Sequence, residues 1–116
     1  MGKLSTHILD TAQGCPAAGV GIALYRIGLP DNPLLLCSSN SDGRADKDLL
    51  SGDMMLAGEY ELVFHVADYF RNSNLTVSEP PFFDRIAIRF NISKPEQDYH
   101  VPLLVSPWSY STYRGS

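Results

Sequence analysis

Short segments of alternating apolar and polar residues dominate the chain, separated by clusters of Gly, Pro, Asn and Asp. That rhythm belongs to a β protein. Leu4 to Asp10 is the first segment. Gly19 to Ile27 places Val20, Ile22 and Leu24 on one face, and Leu34 to Ser38 follows the turn Pro30-Asp31-Asn32-Pro33. Asn40-Ser41-Asp42-Gly43 is strong turn chemistry, because Asp-Gly tolerates positive φ angles, and it delivers Arg44 at a strand-edge corner. Glu59 to Val66 alternates cleanly, with Tyr60, Leu62, Phe64 and Val66 inward and Glu59, Glu61, Val63 and His65 outward. Ala67 to Asn74 reads as a two-turn helix. Arg85 to Ile92 turns Ile86, Ile88, Phe90 and Ile92 to the core, and the last pair is Asp98 to Val105 and Ser109 to Arg114, broken by Ser106-Pro107. Seven or eight short strands and one short helix predict an all-β, two-sheet sandwich.

Within Asp98 to Val105, Tyr99, Val101, Leu103 and Val105 take one face and Asp98, His100, Pro102 and Leu104 the other. If the first set is core, His100 faces outward among residues too apolar for a bare surface. The same holds for Trp108, Tyr110 and Tyr113, and exposed patches of this kind mark an interface or a ligand groove. Open sheet edges point the same way, since a symmetric oligomer covers them. The closing run Ser109 to Ser116 is dense in hydroxyls and phenols and carries a guanidinium. Such a terminus is expected to dock rather than fray.

Composition narrows the possibilities. A chain of 116 residues with 44% hydrophobic content is expected to form a single domain over residues 1–116. Thirteen carboxylates against nine Lys and Arg give a net charge of -4, which lacks the basic footprint of a nucleic-acid binder. No apolar run approaches the length of a membrane span, and no signal-peptide core follows Met1, so the expectation is a soluble, cytoplasmic protein without membrane partners. In a reducing compartment Cys15 and Cys37 are expected to stay independent thiols.

The three histidines fall at 7, 65 and 100 with no His-x-His or Glu-x-x-His pairing, and no Cys-x-x-Cys exists, so no metal site is expected. A Ser-His-Asp triad has no Gly-x-Ser-x-Gly elbow to sit on. His65 shares its face with Glu59 and Glu61, so a solvated charge pair accounts for it. Asp10 is expected to hydrogen-bond locally or cap a turn rather than act as an acid. Taken alone, Arg44 is a turn arginine and Tyr113 a packing aromatic.

Three stretches change that weighing: Leu4-Ser5-Thr6-His7-Ile8-Leu9-Asp10-Thr11-Ala12, Ser41-Asp42-Gly43-Arg44, and Tyr99-His100-Val101-Pro102-Leu103-Leu104-Val105-Ser106-Pro107 on through Tyr113-Arg114-Gly115-Ser116. In order and over essentially the whole chain, they resemble the hydroxyisourate hydrolases, transthyretin-like enzymes of urate breakdown. Asp98 stands where that family often places His, and Trp108-Ser109 departs from its usual residues. The resemblance implies the transthyretin sandwich, assembled as a homotetramer that is a dimer of dimers. It implies hydrolysis of 5-hydroxyisourate without a cofactor, at a channel between dimers lined by the C-terminal tetrapeptide. The catalytic set it implies is His7, Arg44, His100 and Tyr113.

These residue types suit the chemistry. Opening a cyclic acyl group with water needs a base, oxyanion donors and a clamp for a planar anionic ring. His7 and His100 are expected to hold and activate a water between them with one ring neutral, and either can be the base. Arg44 is a bidentate clamp for urate-like carbonyls. Tyr113 offers a phenolic hydrogen bond, and Ser116 lies close by in sequence. Arg114 is either a second substrate contact or an ion-pair partner that pins the tail. Asp98, two residues before His100 on the same face, is positioned to tune that ring. The rival from another class is a non-catalytic transthyretin-type carrier, whose branch lacks the His, Arg and terminal Tyr-Arg-Gly-Ser set.

Overall fold

The computed structural model describes residues 2–29 and 32–116, so Pro30 and Asp31 of the expected turn lie outside the described residues. Among the described residues ten strands form: β1 (Leu4–Ser5), β2 (Ile8–Asp10), β3 (Cys15–Pro16), β4 (Gly21–Arg26), β5 (Leu35–Ser38), β6 (Gly58–His65), β7 (Ile86–Ile92), β8 (Tyr99–His100), β9 (Leu103–Val105) and β10 (Tyr110–Thr112). One sheet has the order β10-β9-β2-β3 and another β5-β4-β6-β7, with β1 and β8 as a separate two-stranded ladder. Ile8, Leu103 and Val105 from the first sheet share one apolar core with Ile22, Leu24, Leu62, Phe64, Ile86 and Ile92 from the second. The sandwich is therefore the one the alternation predicts, with burial of those side chains as its main support.

The alternation of β6 is obeyed, since Tyr60, Leu62 and Phe64 are buried while Glu59 is exposed and Glu61, Val63 and His65 are half-buried. In β7 the inward set is less uniform: Ile86 and Ile92 are buried but Ile88 and Phe90 only partly so. The helix α1 (Val66–Arg71) is shorter than the predicted Ala67 to Asn74. It buries Val66, Ala67 and Phe70, and then the Ser73 hydroxyl donates to the Phe70 carbonyl at 2.7 Å, offering the backbone an alternative to a further turn. Arg71 closes the helix with ion pairs to Asp68 at 3.1 Å and Glu79 at 2.9 Å.

Two segments expected as single strands are each interrupted. Leu4 to Asp10 runs parallel to Asp98 to Val105, and the pairs Leu4 with Tyr99 and Ile8 with Leu103 keep one register on both sides of the gap. Pro102 has no N–H to give the ladder, and its bond to the neighbouring strand is missing there. Thr6 spans the gap by donating its hydroxyl to the Val101 carbonyl at 2.6 Å. Backbone bonds from Val101 to the Ser5 carbonyl and from Leu103 to the His7 carbonyl, both 2.9 Å, hold the register. Pro102, placed outward by the alternation, is instead buried within the chain, where Thr112 of β10 donates its hydroxyl to the Pro102 carbonyl at 2.7 Å.

Candidate active site

The outer face of the first sheet is assembled from alternate residues. Leu4, Thr6, Ile8 and Asp10 are buried, so Ser5, His7 and Leu9 turn the other way and are half-buried. The parallel register sets Ser5 beside His100 and Leu9 beside Leu104 on that same face. His7 and His100, distant in sequence, thereby come onto one surface.

Arg44 joins them through its turn. The Asn40 side-chain oxygen accepts from the amides of Asp42 at 2.9 Å and Arg44 at 3.2 Å, and the Asn40 amide donates to the Arg44 carbonyl at 2.8 Å. Gly43, at φ +77°, then lets the Ile8 amide donate to its carbonyl at 2.8 Å, and this brings Arg44 into an antiparallel bridge with His7. A Cβ on Gly43 would meet the Ile8 carbonyl oxygen at 2.4 Å, so both the dihedral and the space require glycine here. A depression of about 270 Å³ opens beside this corner, lined in part by Ser5, Thr6, Arg44 and Lys47.

The C-terminal segment closes over His100. Its amide donates to the Gly115 carbonyl at 3.1 Å and its carbonyl accepts from the Gly115 amide at 2.7 Å. The docking expected of the terminus is thus made by backbone at Gly115. Burial, and after it the positive charges of Arg44 and His7, push the His100 ring below the ordinary histidine pKa. A neutral imidazole near a guanidinium can accept a proton, and the guanidinium can bind an anion.

Other expectations resolve differently. Tyr113 is 60% exposed and lines a separate depression of about 210 Å³ with Ile88, Phe90, Tyr99 and Val101, so one chain alone does not bring it to His7, Arg44 and His100. Arg114 makes no ion pair among the described residues. It donates to the Gln97 side-chain oxygen at 3.2 Å, and its guanidinium lies over the Tyr99 ring at 4.5 Å. Ser116 is exposed, directly after Gly115. Asp98 does not tune His100: it is exposed and accepts from the Lys3 amide at 3.1 Å. Ser5 takes that place, with its hydroxyl oxygen 2.8 Å from His100 Nδ1, a contact the sequence reading missed. Alternation puts Ser5 and His7 on one strand face, but only the long-range pairing of that strand with β8 sets Ser5 beside His100.

The charge pair expected for His65 is also absent among the described residues. Glu61 pairs with Arg89 at 2.8 Å, and the His65 ring lies over Gly21, where a Cβ would come within 3.2 Å of it. Asp10 is the local cap it was expected to be, fully buried and accepting from the amides of Ala12 and Gln13, both at 2.9 Å. Cys15 and Cys37 are free thiols.

Residues 4–115 match the family described as "Transthyretin: HIUase/Transthyretin family". The chain belongs to the HIUase/transthyretin family. Among relatives in it, the 5-hydroxyisourate hydrolase of Mesorhizobium japonicum is 53% identical over 116 residues, which cover 99% of this chain and 93% of that protein. The crystal structure of (S)-allantoin synthase superposes with a TM-score of 0.93 at 44% identity over 99% of this chain. This chain spans only 44% of that longer one. Sea bream transthyretin in complex with thyroxine superposes with a TM-score of 0.83 at 26% identity, covering 97% of this chain and 94% of the other. The HIUase/transthyretin sandwich is therefore common to proteins named as enzymes and to a hormone complex, and the fold alone does not separate them.

Proposed function

We propose that this protein hydrolyses 5-hydroxyisourate to 2-oxo-4-hydroxy-4-carboxy-5-ureidoimidazoline in urate degradation. The observation that carries the reading is the convergence of His7, Arg44 and His100 on one sheet face, in a chain 53% identical to a protein named for that reaction.

The chemistry follows from the residues. Water held between His7 and His100 adds to the ring carbonyl carbon as a neutral imidazole takes its proton. Arg44 binds the planar anion and offsets the negative charge that builds on the carbonyl oxygen. The C–N bond then breaks, the nitrogen leaves as N–H with that proton returned to it, and the carbonyl carbon becomes a carboxylic acid that ionises to the carboxylate, giving its proton to solvent. No metal or organic cofactor is required for this sequence of steps.

The reading extends to assembly. The chain acts as one domain in a cytoplasmic homotetramer, a dimer of dimers, with Tyr113, Arg114 and Ser116 serving the site at the interface. Support comes from the exposure of Trp108 at 59%, Tyr110 at 44% and Tyr113 at 60%, an aromatic patch that a partner would cover. No helix among the described residues is long and apolar enough to cross a membrane.

The deciding experiment generates 5-hydroxyisourate from urate with urate oxidase and follows its decay with and without this protein. Acceleration is expected, and His100→Ala or Arg44→Ala should slow it by roughly 10²-fold or more, as for a lost base or oxyanion donor. Decay at the uncatalysed rate with wild-type protein would overturn the assignment.

A further inference from the structure

We infer that Ser5 is a positioning residue for the hydrolysis proposed above: its hydroxyl accepts from His100 Nδ1–H at 2.8 Å and so keeps Nε2 of that ring as the free base. The inference rests on the proposed reaction for its catalytic meaning and on geometry for its substance.

Two edges of the His100 ring are covered. Nδ1 faces Ser5. The Cβ–Cγ–Cδ2 edge faces the tail, where even a Cβ on Gly115 would lie 3.1 Å from both Cβ and Cδ2. Only the Cε1–Nε2 edge is left for water or substrate. Ser5 cannot drift from its place, because Leu4 is bonded both ways to the segment at Leu49 and Leu50, at 2.7 and 2.9 Å. The Ser5 carbonyl accepts from Val101 at 2.9 Å as well.

A serine hydroxyl can donate to a ring nitrogen or accept from one, and the surroundings choose between the two. The Ser5 backbone carbonyl is engaged by the Val101 amide at 2.9 Å, so the hydroxyl is the Ser5 group that meets Nδ1. Ser5 lines the depression it shares with Arg44, so its own O–H has open space to point into once the oxygen accepts from Nδ1. The opposite arrangement would turn Nε2–H toward the water, where a donor is of no use as a base. Arg44 and His7, the charged and titratable groups that bear on the ring, disfavour a second proton on it. Asp98 on the same strand face is bonded to Lys3 instead. A partner that fixes the tautomer of a working histidine is a recurrent device.

Two measurements test this. In wild-type protein with 15N-labelled histidine, long-range 15N–1H correlation at a pH where His100 is neutral should give the Nδ1–H pattern. An Nε2–H pattern would overturn the inference whether or not hydroxyisourate is the substrate. In turnover, Ser5→Ala should lower kcat by about 10- to 100-fold with KM little changed, as for loss of a supporting hydrogen bond to a site histidine. Ser5→Thr, which keeps the hydroxyl, should restore most of the loss. Wild-type kcat in Ser5→Ala would overturn the inference while leaving the reaction itself standing.

Discussion

Gly115 and His100 exchange a reciprocal pair of backbone hydrogen bonds, at 3.1 and 2.7 Å, and the tail lies against the imidazole because residue 115 has no side chain. A Cβ there would sit 3.1 Å from two His100 carbons, a distance at which the ring or the tail must give. Gly115→Val should therefore displace the tail and lower kcat by about tenfold, the scale of a lost supporting contact. Thermal stability should hardly change, since residues on both sides of Gly115 are exposed and such positions shift stability by about 0.5 kcal/mol or less. A variant with wild-type kcat would show that the tail contact is packing alone.

Gly43 tests how Arg44 is delivered. Gly43→Ala combines a left-handed φ of +77° with a Cβ 2.4 Å from the Ile8 carbonyl oxygen, while Gly14 has a similar φ of +70° and nothing within 4 Å. Strain from φ alone is about 1 kcal/mol, and the clash should add to it, so Gly43→Ala is expected to cost about 2–3 kcal/mol against about 1 for Gly14→Ala. Urea unfolding of the two variants compares them directly. Equal midpoints would mean that the Ile8 contact imposes nothing. Turnover should fall in Gly43→Ala and stay intact in Gly14→Ala.

The His100 ring sets a pH dependence. Its folded pKa is lowered by burial and by the charges of Arg44 and His7, below the roughly 6.5 of a free histidine. The unfolded chain therefore takes up the proton first as pH falls. The associated stability is fully present above the unfolded value and is lost as pH drops through the folded one. Activity that needs the neutral ring should persist below about pH 6.5, with the acid limb at the lowered value. An NMR titration of His100 gives the midpoint, and Arg44→Met should move it upward. A wild-type midpoint at or above that of an exposed histidine would contradict this account.

The sequence disclosed what alternation and turn chemistry encode. Tyr60, Leu62 and Phe64 of β6 are buried as their spacing required, and the Asp42-Gly43 turn delivers Arg44 where its residues implied. Local pattern is silent about partners far along the chain. That Ser5 rather than Asp98 reaches His100 follows from a parallel pairing of segments 95 residues apart, and no short-range signal reports it. Pro102 illustrates the same limit from the other side, since its missing N–H breaks the strand and the returning β10 buries it. Tyr113 was legible as an exposed aromatic, but its relation to the histidines is not decided within one chain.

Asp10 offers a test of stability away from the chemistry. Its fully buried carboxylate accepts four hydrogen bonds, from the Ala12 and Gln13 amides, from the Gln13 side chain at 2.7 Å and from the Tyr69 hydroxyl at 2.8 Å. Burial, then the hydrogen bond to Asp10 and its charge, hold the Tyr69 phenol protonated well above the usual tyrosine range. Removing the carboxylate takes the charged acceptor away from all four donors, at about 1 kcal/mol for each lost hydrogen bond because the donors lie in part-buried positions. Asp10→Ala should therefore destabilise the fold by about 3 kcal/mol or more, and Tyr69→Phe, which deletes one donor and strands nothing, by about 1 kcal/mol. The double variant should be less destabilised than the two losses added together, because the pair shares one bond. Strict additivity in urea unfolding would mean that the Tyr69 hydroxyl and Asp10 are not coupled, and the cap would then rest on the two backbone amides and the Gln13 side chain.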